Sequence, residues 1–463
     1  MSSIDLMIII VFLIFSAGIG IWLGRTNRTM SDYFLGGRDL SWPMVMLSIV
    51  ATETSVLTFV SIPGLAYRED WRFLSLALGF IIGRVIVSFL LLGDYMQTGI
   101  ISIYEFLGKI FGKIVQRTAS GIFLITRVLA DGVRFLATAV IIQVVTGWSL
   151  PLSLIIIGST TAIYTLFGGL RSIVWVDSFQ FGLYLFSGVI VVGTCLSNID
   201  GQYFMIFSSL IKEGKTQIFH FTQITDPWMV GNAVFGGMFL SAASHGTDHM
   251  MVQRVLSTGN LRAARKALIG SGFLVFFQFL FFLLAGSLMY LYMDGINIQK
   301  DREFAFFITN HLPVGVRGII IAGVIAAAMS TLSSSINALS SSTIMDWMQK
   351  TDSLMLARFI SGFWAIILIA VAMIIDESDE AIVMVGLQIA SVTYGGLLGL
   401  FILAKLKERL YHVSVIIGLI AGMGTAILIK FNDLPWVWMI PVSSAMVVGV
   451  TIITDLFIDR EKI

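Results

Sequence analysis

Within the apolar run from about Val314 to Ile344, six residues could act together. Counted at helical spacing, Ala327, Ser330, Thr331, Ser334, Asn337 and Ser341 share one face, so a hydroxyl stripe runs down a helix otherwise fit for hydrocarbon. That face cannot look at lipid. Two readings of it are open. Ser and Thr at helix contacts in membranes let backbones approach and bond across the gap or back to their own turn. The other reading is a hard-cation site, because hydroxyl and carbonyl oxygens suit an alkali ion and leave no fixed charge behind when it departs.

Ionisable side chains interrupt other apolar runs: Glu53, Asp131 and Asp177 on the acidic side, Arg84, Arg127 and Arg134 on the basic side. A charge at mid-membrane costs at least ~2.5 to 3.5 kcal/mol, which makes each a functional candidate. Their equal numbers leave a structural alternative. Arg127 and Asp131 are an i, i+4 pair and Asp131 and Arg134 an i, i+3 pair, so one helix could neutralise itself. For Asp177 a structural role is available, a carboxylate that fastens its helix end through Arg171. The histidines, His220, His245, His249, His311 and His412, form no metal-protease pattern, and no nucleophile elbow occurs, so an enzyme is not expected. His245 and His249 at i, i+4 read more readily as satisfied polar residues at a helix end than as metal ligands. Cys195, the single cysteine, reads as a small packed hydrophobe.

The elements that must position these groups follow from composition. Of 463 residues, 57% are hydrophobic and 12% charged, roughly half the charged share of a soluble domain. Net charge is +1 with no basic block, which argues against a nucleic-acid partner. The expected fold is an all-α polytopic membrane protein, residues 1–463 forming one transport domain in a lipid bilayer. Segments of about 20 apolar residues number thirteen: 5–24, 41–66, 71–95, 118–146, 150–167, 174–197, 229–248, 267–293, 314–345, 355–375, 380–404, 410–430 and 434–457. The stretches 101–112 and 202–213 read as surface-lying amphipathic helices.

The first run has no basic residue before it and Arg25 and Arg28 directly after, so it reads as a retained span with its N-terminus outside. That orientation places eighteen basic residues on the cytoplasmic side, Lys350, Lys407, Arg409, Arg460 and Lys462 among them, against eight outside, and leaves the C-terminus cytoplasmic. Two spans are poor helices at their middles. In 41–66 the sequence Ala51-Thr52-Glu53-Thr54-Ser55 interrupts the run, with Pro63 and Gly64 beyond; in 229–248, Gly231, Asn232, Gly236 and Gly237 do similar damage. Freed backbone groups survive in a bilayer only where they line a cavity or are buried in protein. The interrupted spans are the second and the seventh, so the units carrying them run in opposite directions, the pattern of an inverted-repeat transporter.

Several stretches resemble the sodium/solute symporter family, solute carrier family 5. They are Ser31-Asp32-Tyr33-Phe34-Leu35-Gly36-Gly37-Arg38; Ser61-Ile62-Pro63-Gly64 with Ala66-Tyr67; Tyr164-Thr165-Leu166-Phe167-Gly168-Gly169-Leu170 with Val174-Trp175-Val176-Asp177-Ser178-Phe179-Gln180; Gly246-Thr247-Asp248 with Val252-Gln253-Arg254; and the hydroxyl stripe. The resemblance implies a leucine-transporter-like core of five plus five inverted helices over 41–404, with an extra helix 5–24 before it and two, 410–457, after it. It implies a sodium site made by the carbonyls of Ala51, Thr54 and Ala327 and the hydroxyls of Ser330 and Thr331. A subset of the family carries a second sodium, which matches Asp177, Ser333 and Ser334.

The substrate site implied by the resemblance lies beside the first break, with Glu53, Ser55 and Thr58 facing the charged fourth span. Either Arg127 or Arg134 matches an arginine that holds a substrate carboxylate in some members. The family position of Glu53 is usually neutral, and a buried carboxylate must be paired, protonated or bound to a cation. Glu53 therefore either pairs with Arg127 or Arg84, hydrogen-bonds a hydroxylated substrate, or recognises a cationic one. The expected function is a sodium-coupled symporter of the plasma membrane that imports a small acidic or polyhydroxylated solute, such as a sugar, sialic acid or carboxylate, by alternating access. A membrane sensor is disfavoured because little chain follows the last span to form a signalling module, and a passive channel because paired breaks suit alternating access.

Overall fold

The computed structural model describes residues 1–463 apart from 301, 350–352, 376–379, 407–409, 433 and 458–463, and describes 57 and 380–389 by backbone alone. The basic residues Lys350, Lys407, Arg409, Arg460 and Lys462 thus lie outside the described residues. The described chain is helical, its only extended pairing being two isolated bridges, Leu40 with Thr258 and His220 with Met229.

Apolar runs become helices in chain order: α1 (Ser3–Gly24), α2 (Trp42–Glu53), α3 (Val56–Arg68), α4 (Phe73–Leu90), α5 (Lys113–Thr146), α6 (Leu150–Asn198) and α7 (Val230–Gly246). The second half holds α8 (His249–Leu256), α9 (Leu261–Tyr292), α10 (Val316–Ser342), α11 (Leu354–Ile374), α12 (Glu380–Leu406), α13 (His412–Phe431) and α14 (Met439–Phe457). Among the described residues nine helices are long and apolar enough to cross a bilayer, or ten when α2 and α3, bent by 65°, count as one broken span. One of the nine, α6, has 49 residues. Drawn straight it would reach roughly 74 Å, against about 30 Å of hydrocarbon. It bends at Gly169 (φ 61°, ψ −168°), so its two arms cover the segments expected at 150–167 and 174–197. Only glycine fits there, since a Cβ would come within 2.7 Å of the Tyr33 carbonyl.

The second interruption is not where the glycines suggested. Through Gly231, Asn232, Gly236 and Gly237, α7 is continuous; the helix stops at Thr247 and Asp248 and resumes as α8, which extends the segment to Leu256. Glycines read as breakers because they lower helix propensity, but here they bring backbones together. A Cβ on Gly237 would lie 2.2 Å from the Leu76 carbonyl, and one on Gly79 of α4 would lie 2.2 Å from the Val234 carbonyl. The break itself is made by Asp248, whose side chain accepts from the Met250 amide as the cap of α8.

At the centre α10 is buried almost end to end, packed on α6, α5 and α1. Both surface-lying stretches form helices, Tyr104–Phe111 and Tyr203–Lys212; the second leaves Phe204 82% exposed. The loop after it is tied over one end of α3 and α4, where Lys215 Nζ donates to the Tyr67 carbonyl at 2.6 Å and Ser75 Oγ to the Ile218 carbonyl at 2.8 Å. Burial lowers the Lys215 ammonium from its ordinary range, partly opposed by Glu213, Asp70 and Glu69.

If α4 and α7 need backbone-to-backbone approach, Gly237→Val will lower stability by about 3 kcal/mol through overpacking. Gly182→Ala, whose Cβ would meet nothing within 4 Å, will not lower it. Thermal unfolding of the two purified variants tests this; equal melting would mean that the helices can part without cost.

Candidate functional site

The site begins with backbone. At the end of α2 the Thr54 amide bonds to the Val50 carbonyl (2.9 Å), but the Ser55 amide turns to Glu53 (3.1 Å). Ala51, whose carbonyl would have accepted from Ser55 in a continuous helix, is thereby released from the ladder. In front of it passes the hydroxyl stripe. Ser330 Oγ lies 3.0 Å from the carbonyls of both Ala51 and Ala327, and Thr331 Oγ1 lies 3.3 Å from those of Thr52 and Ala327. The Thr54 hydroxyl is committed to Gln278, accepting from its Nε2 at 2.8 Å, so only its carbonyl is left to join the set. Beside these groups is a cavity of about 10 Å³, lined by Ala51, Thr54, Gln180, Tyr184, Ala327 and Ser330. That is room for one ion-sized or water-sized body, surrounded by uncharged oxygens.

Lower on α10 the stripe serves as glue. Asn337 Oδ1 accepts from Gln253 Nε2 at 2.8 Å, and Ser341 Oγ lies 2.6 Å from His249 Nε2. His245 Nδ1 lies 2.9 Å from Ser244 Oγ and 3.2 Å from the Ser241 carbonyl. The two readings of the stripe thus apply to different turns of one helix.

Asp177 is fully buried between these levels. Its Oδ2 accepts from Ser48 (2.7 Å), Thr52 (3.4 Å) and Arg254 (3.2 Å), while Oδ1 has no hydrogen-bond partner among the described residues. Arg254 also donates to Ser48 Oγ (3.0 Å), to the Met250 carbonyl (2.8 Å) and to Ser334 Oγ. The pairing of Asp177 with Arg171 does not occur: six residues apart on the same arm of α6, the two side chains leave different faces of the helix, and Arg171 reaches Asp39 and the Gly36 carbonyl in the loop before α2. Ser333 Oγ donates back to the Ser330 carbonyl at 3.1 Å.

Along α5 the charged residues separate by level. Arg127, 3% exposed, lies between Asp131 (3.3 Å), Asp248 and the Tyr394 hydroxyl (3.0 Å), and that hydroxyl donates to Asp248 at 2.8 Å. Arg134 is 23% exposed and 3.3 Å from Asp131. It lines a small cavity with Ser55, Asp131, Phe135, Thr138, Ala327 and Thr331. Arg127 therefore sits in a closed ionic network, and Arg134 faces the space beside the broken helix. Thr58, half-buried on α3, does not line that cavity. Glu53 pairs with the fully buried Arg84, not with Arg127; Arg84 also donates to Ser271 Oγ at 2.8 Å, and His245 Nε2 is 3.8 Å from the Glu53 carboxylate.

Three participants escaped sequence reasoning. Asp248, the last residue of the span expected at 229–248, and Arg254, read as a cytoplasmic loop residue, stand in the Gly246-Thr247-Asp248 and Val252-Gln253-Arg254 stretches without a role legible in the sequence, and both are buried in the structure. Tyr394, a lone phenol in an apolar run, carries no sequence signal.

Against known proteins, the sodium:solute symporter family profile matches residues 33–422. The sodium/sialic acid symporter NanT of Aliivibrio fischeri is 26% identical over 455 residues, covering 94% of this chain and 90% of that protein. A putative sodium-dependent multivitamin transporter of Drosophila melanogaster is 25% identical over 458 residues, covering 93% and 75%. Among solved structures, a substrate-bound, outward-open Na⁺-coupled sialic acid symporter shares the fold, with a TM-score of 0.89 at 23% identity over 99% of this chain and 98% of that one.

Removing one member of a buried charge network leaves the other uncompensated and costs about 3–5 kcal/mol. Asp248→Leu will accordingly lower the unfolding temperature sharply, and adding Arg127→Met to it will restore most of the loss. A double variant no more stable than the single one would mean that this pair does not hold α5 to the break between α7 and α8.

Proposed function

Because the chain belongs to the sodium:solute symporter family, we propose that its coupling ion binds where α2 stops and α10 passes, held by the carbonyls of Ala51, Thr54 and Ala327 and the hydroxyls of Ser330 and Thr331. The chain is a multi-pass membrane protein and a sodium-coupled symporter of a small-molecule solute, not an enzyme. The observation carrying the ion assignment is the 3.0–3.3 Å meeting of two hydroxyls with carbonyls that a helix break releases. On binding sodium those hydroxyls rotate their protons outward and present lone pairs. Neutral ligands let the ion leave once either helix moves, and the membrane field supplies ~2.3 kcal/mol per charge per 100 mV.

A second ion is assigned to Asp177, Ser333 and Ser334, supported by the unpartnered Asp177 Oδ1. It would share Asp177 and Ser334 with the guanidinium of Arg254, a tethered cation, and so bind more weakly than the first. For the solute, Arg134, which shares its cavity with Ser55, Thr138 and its ion-pair partner Asp131, supports an anionic compound, a carboxylate or an acidic sugar, and a relative named for sialic acid agrees with that class. Glu53, already paired with Arg84, keeps its charge balanced beside this cavity and does not call for a cationic solute. The protein acts in the plasma membrane with its N-terminus outside and C-terminus cytoplasmic, the ten-helix core being 41–404.

Uptake into proteoliposomes under a sodium gradient, across sugars, sialic acids, carboxylates and cationic solutes, tests the assignment. Ser330→Ala will raise the sodium concentration for half-maximal uptake about tenfold, the loss of one ion–oxygen contact, and Asp177→Asn will lower the Hill slope for sodium. Unchanged sodium dependence in both would remove the two sites as placed. Arg134→Gln will raise the KM for an acidic solute by about 10- to 100-fold; an unchanged KM would exclude Arg134 from substrate contact.

A further inference from the structure

Away from the transport path, a groove of about 730 Å³ opens between the first turns of α2 and α9. Its walls change character along one helix face. Arg262, Arg265 and Lys266 form the upper rim, and Ile269 and Gly270 lie one turn deeper, on the same side by helical spacing. Across the groove stands Trp42, 38% exposed, the first residue of α2. The two helices start at the same end of the molecule, since the loops before them are bridged by the Leu40 amide donating to the Ser257 carbonyl at 3.2 Å. At the bottom they close up, a Cβ on Gly270 coming within 2.7 Å of Met46 Sδ. The groove is therefore a wedge, cationic at its mouth and apolar at its apex.

The three cations have no carboxylate within ion-pair distance among the described residues. Arg265 is held in place from behind, its Nε donating to the Ser88 carbonyl at 2.9 Å and its guanidinium lying 4.7 Å over the Phe89 ring, which leaves its other N–H groups to donate. Lys266 sits 5.8 Å from the centre of the Trp42 ring. Positive charge at the start of a helix also opposes the helix dipole, a placement that an anion would relieve. Rise along α9 from Arg262 to Gly270 is roughly 12 Å, the depth from a headgroup into the upper acyl region.

We propose that this wedge binds one anionic phospholipid, its phosphate held by Arg262, Arg265 and Lys266 and an acyl chain lying against Ile269, Gly270 and Trp42. Charge complementarity selects an acidic headgroup over a zwitterionic one, and the apolar apex selects a lipid over a free phosphate. The site is independent of which solute is carried. Because Trp42 opens the half-helix that ends at Ala51 and Thr54, a lipid wedged there would bear on the element that carries the ion ligands.

The test is native mass spectrometry of the purified full-length protein, delipidated and titrated with phosphatidylglycerol, phosphatidylcholine or soluble glycerol phosphate. Arg262 and Lys266 are exposed, so Arg262→Gln/Lys266→Gln does not threaten folding; Arg25→Gln/Arg28→Gln is the control for charge alone. One tightly retained phosphatidylglycerol is expected, with affinity roughly 30-fold weaker in the groove variant and unchanged in the control. Equal retention of the two lipids, equal loss in both variants, or displacement of the lipid by glycerol phosphate would each overturn the proposal.

Discussion

A carbonyl freed inside hydrocarbon has no water to turn to, and leaving it unmet costs several kcal/mol. The structure around the end of α2 is organised by that constraint. The chain stops its helix at Glu53, releases Ala51, and must bring oxygen-bearing or donating groups to the gap. Ser330 and Thr331 answer it from α10, and for those hydroxyls to be there α10 must run through the middle of the bundle, buried along almost its whole length. An arrangement in which hydroxyls satisfy carbonyls in the absence of an ion, and swing to join them around an ion in its presence, can exist in two states without leaving a buried polar group stranded in either.

Charge is handled differently from dipole. Every ionisable group that sequence reasoning placed in the membrane has a partner of opposite sign: Glu53 with Arg84, Asp177 with Arg254, and Asp131 with both Arg127 and Arg134. These pairs are not decoration of single helices. Arg254 stands on α8 and Asp177 on α6; Arg127 on α5 meets Asp248 at the break between α7 and α8 and Tyr394 on α12. Buried pairs are weak contributors to net stability but strongly penalise being separated. They therefore fix which helices must stay together around the second break.

Much of this was readable in order along the chain. The break at Ala51 to Ser55 was legible because polar residues interrupt an apolar run, and the hydroxyl stripe because its period is that of a helix. The second break lies ten residues beyond Gly237, the last of the expected breakers, since glycine carries two meanings, helix breaker and contact residue, and only the presence of α4 against Gly237 selects the second. Arg127 and Arg134 could not be told apart because seven residues separate them, which puts them on one face about 10 Å apart in height. What stands opposite each height decides their roles: Asp248 and Tyr394 for the lower, the cavity with Ser55 for the upper.

By itself, the sequence determined the solvent and the periodicities: a chain this apolar must live in a bilayer, its spans must be helices, and its polar face must turn inward, all consequences of local composition. Tertiary structure decided who meets whom. Asp177 pairs with Arg254 and not with Arg171, six residues away, because that spacing puts the two side chains on different faces of α6, where α8 meets one and the loop carrying Asp39 meets the other. Ser330 meets the released carbonyl of Ala51 and Ser341 becomes a hydrogen-bond partner of His249, though both lie on one stripe, because different helices cross it at the two heights. A side chain's type and face are local properties, whereas its partner is set by the helix that passes at its level.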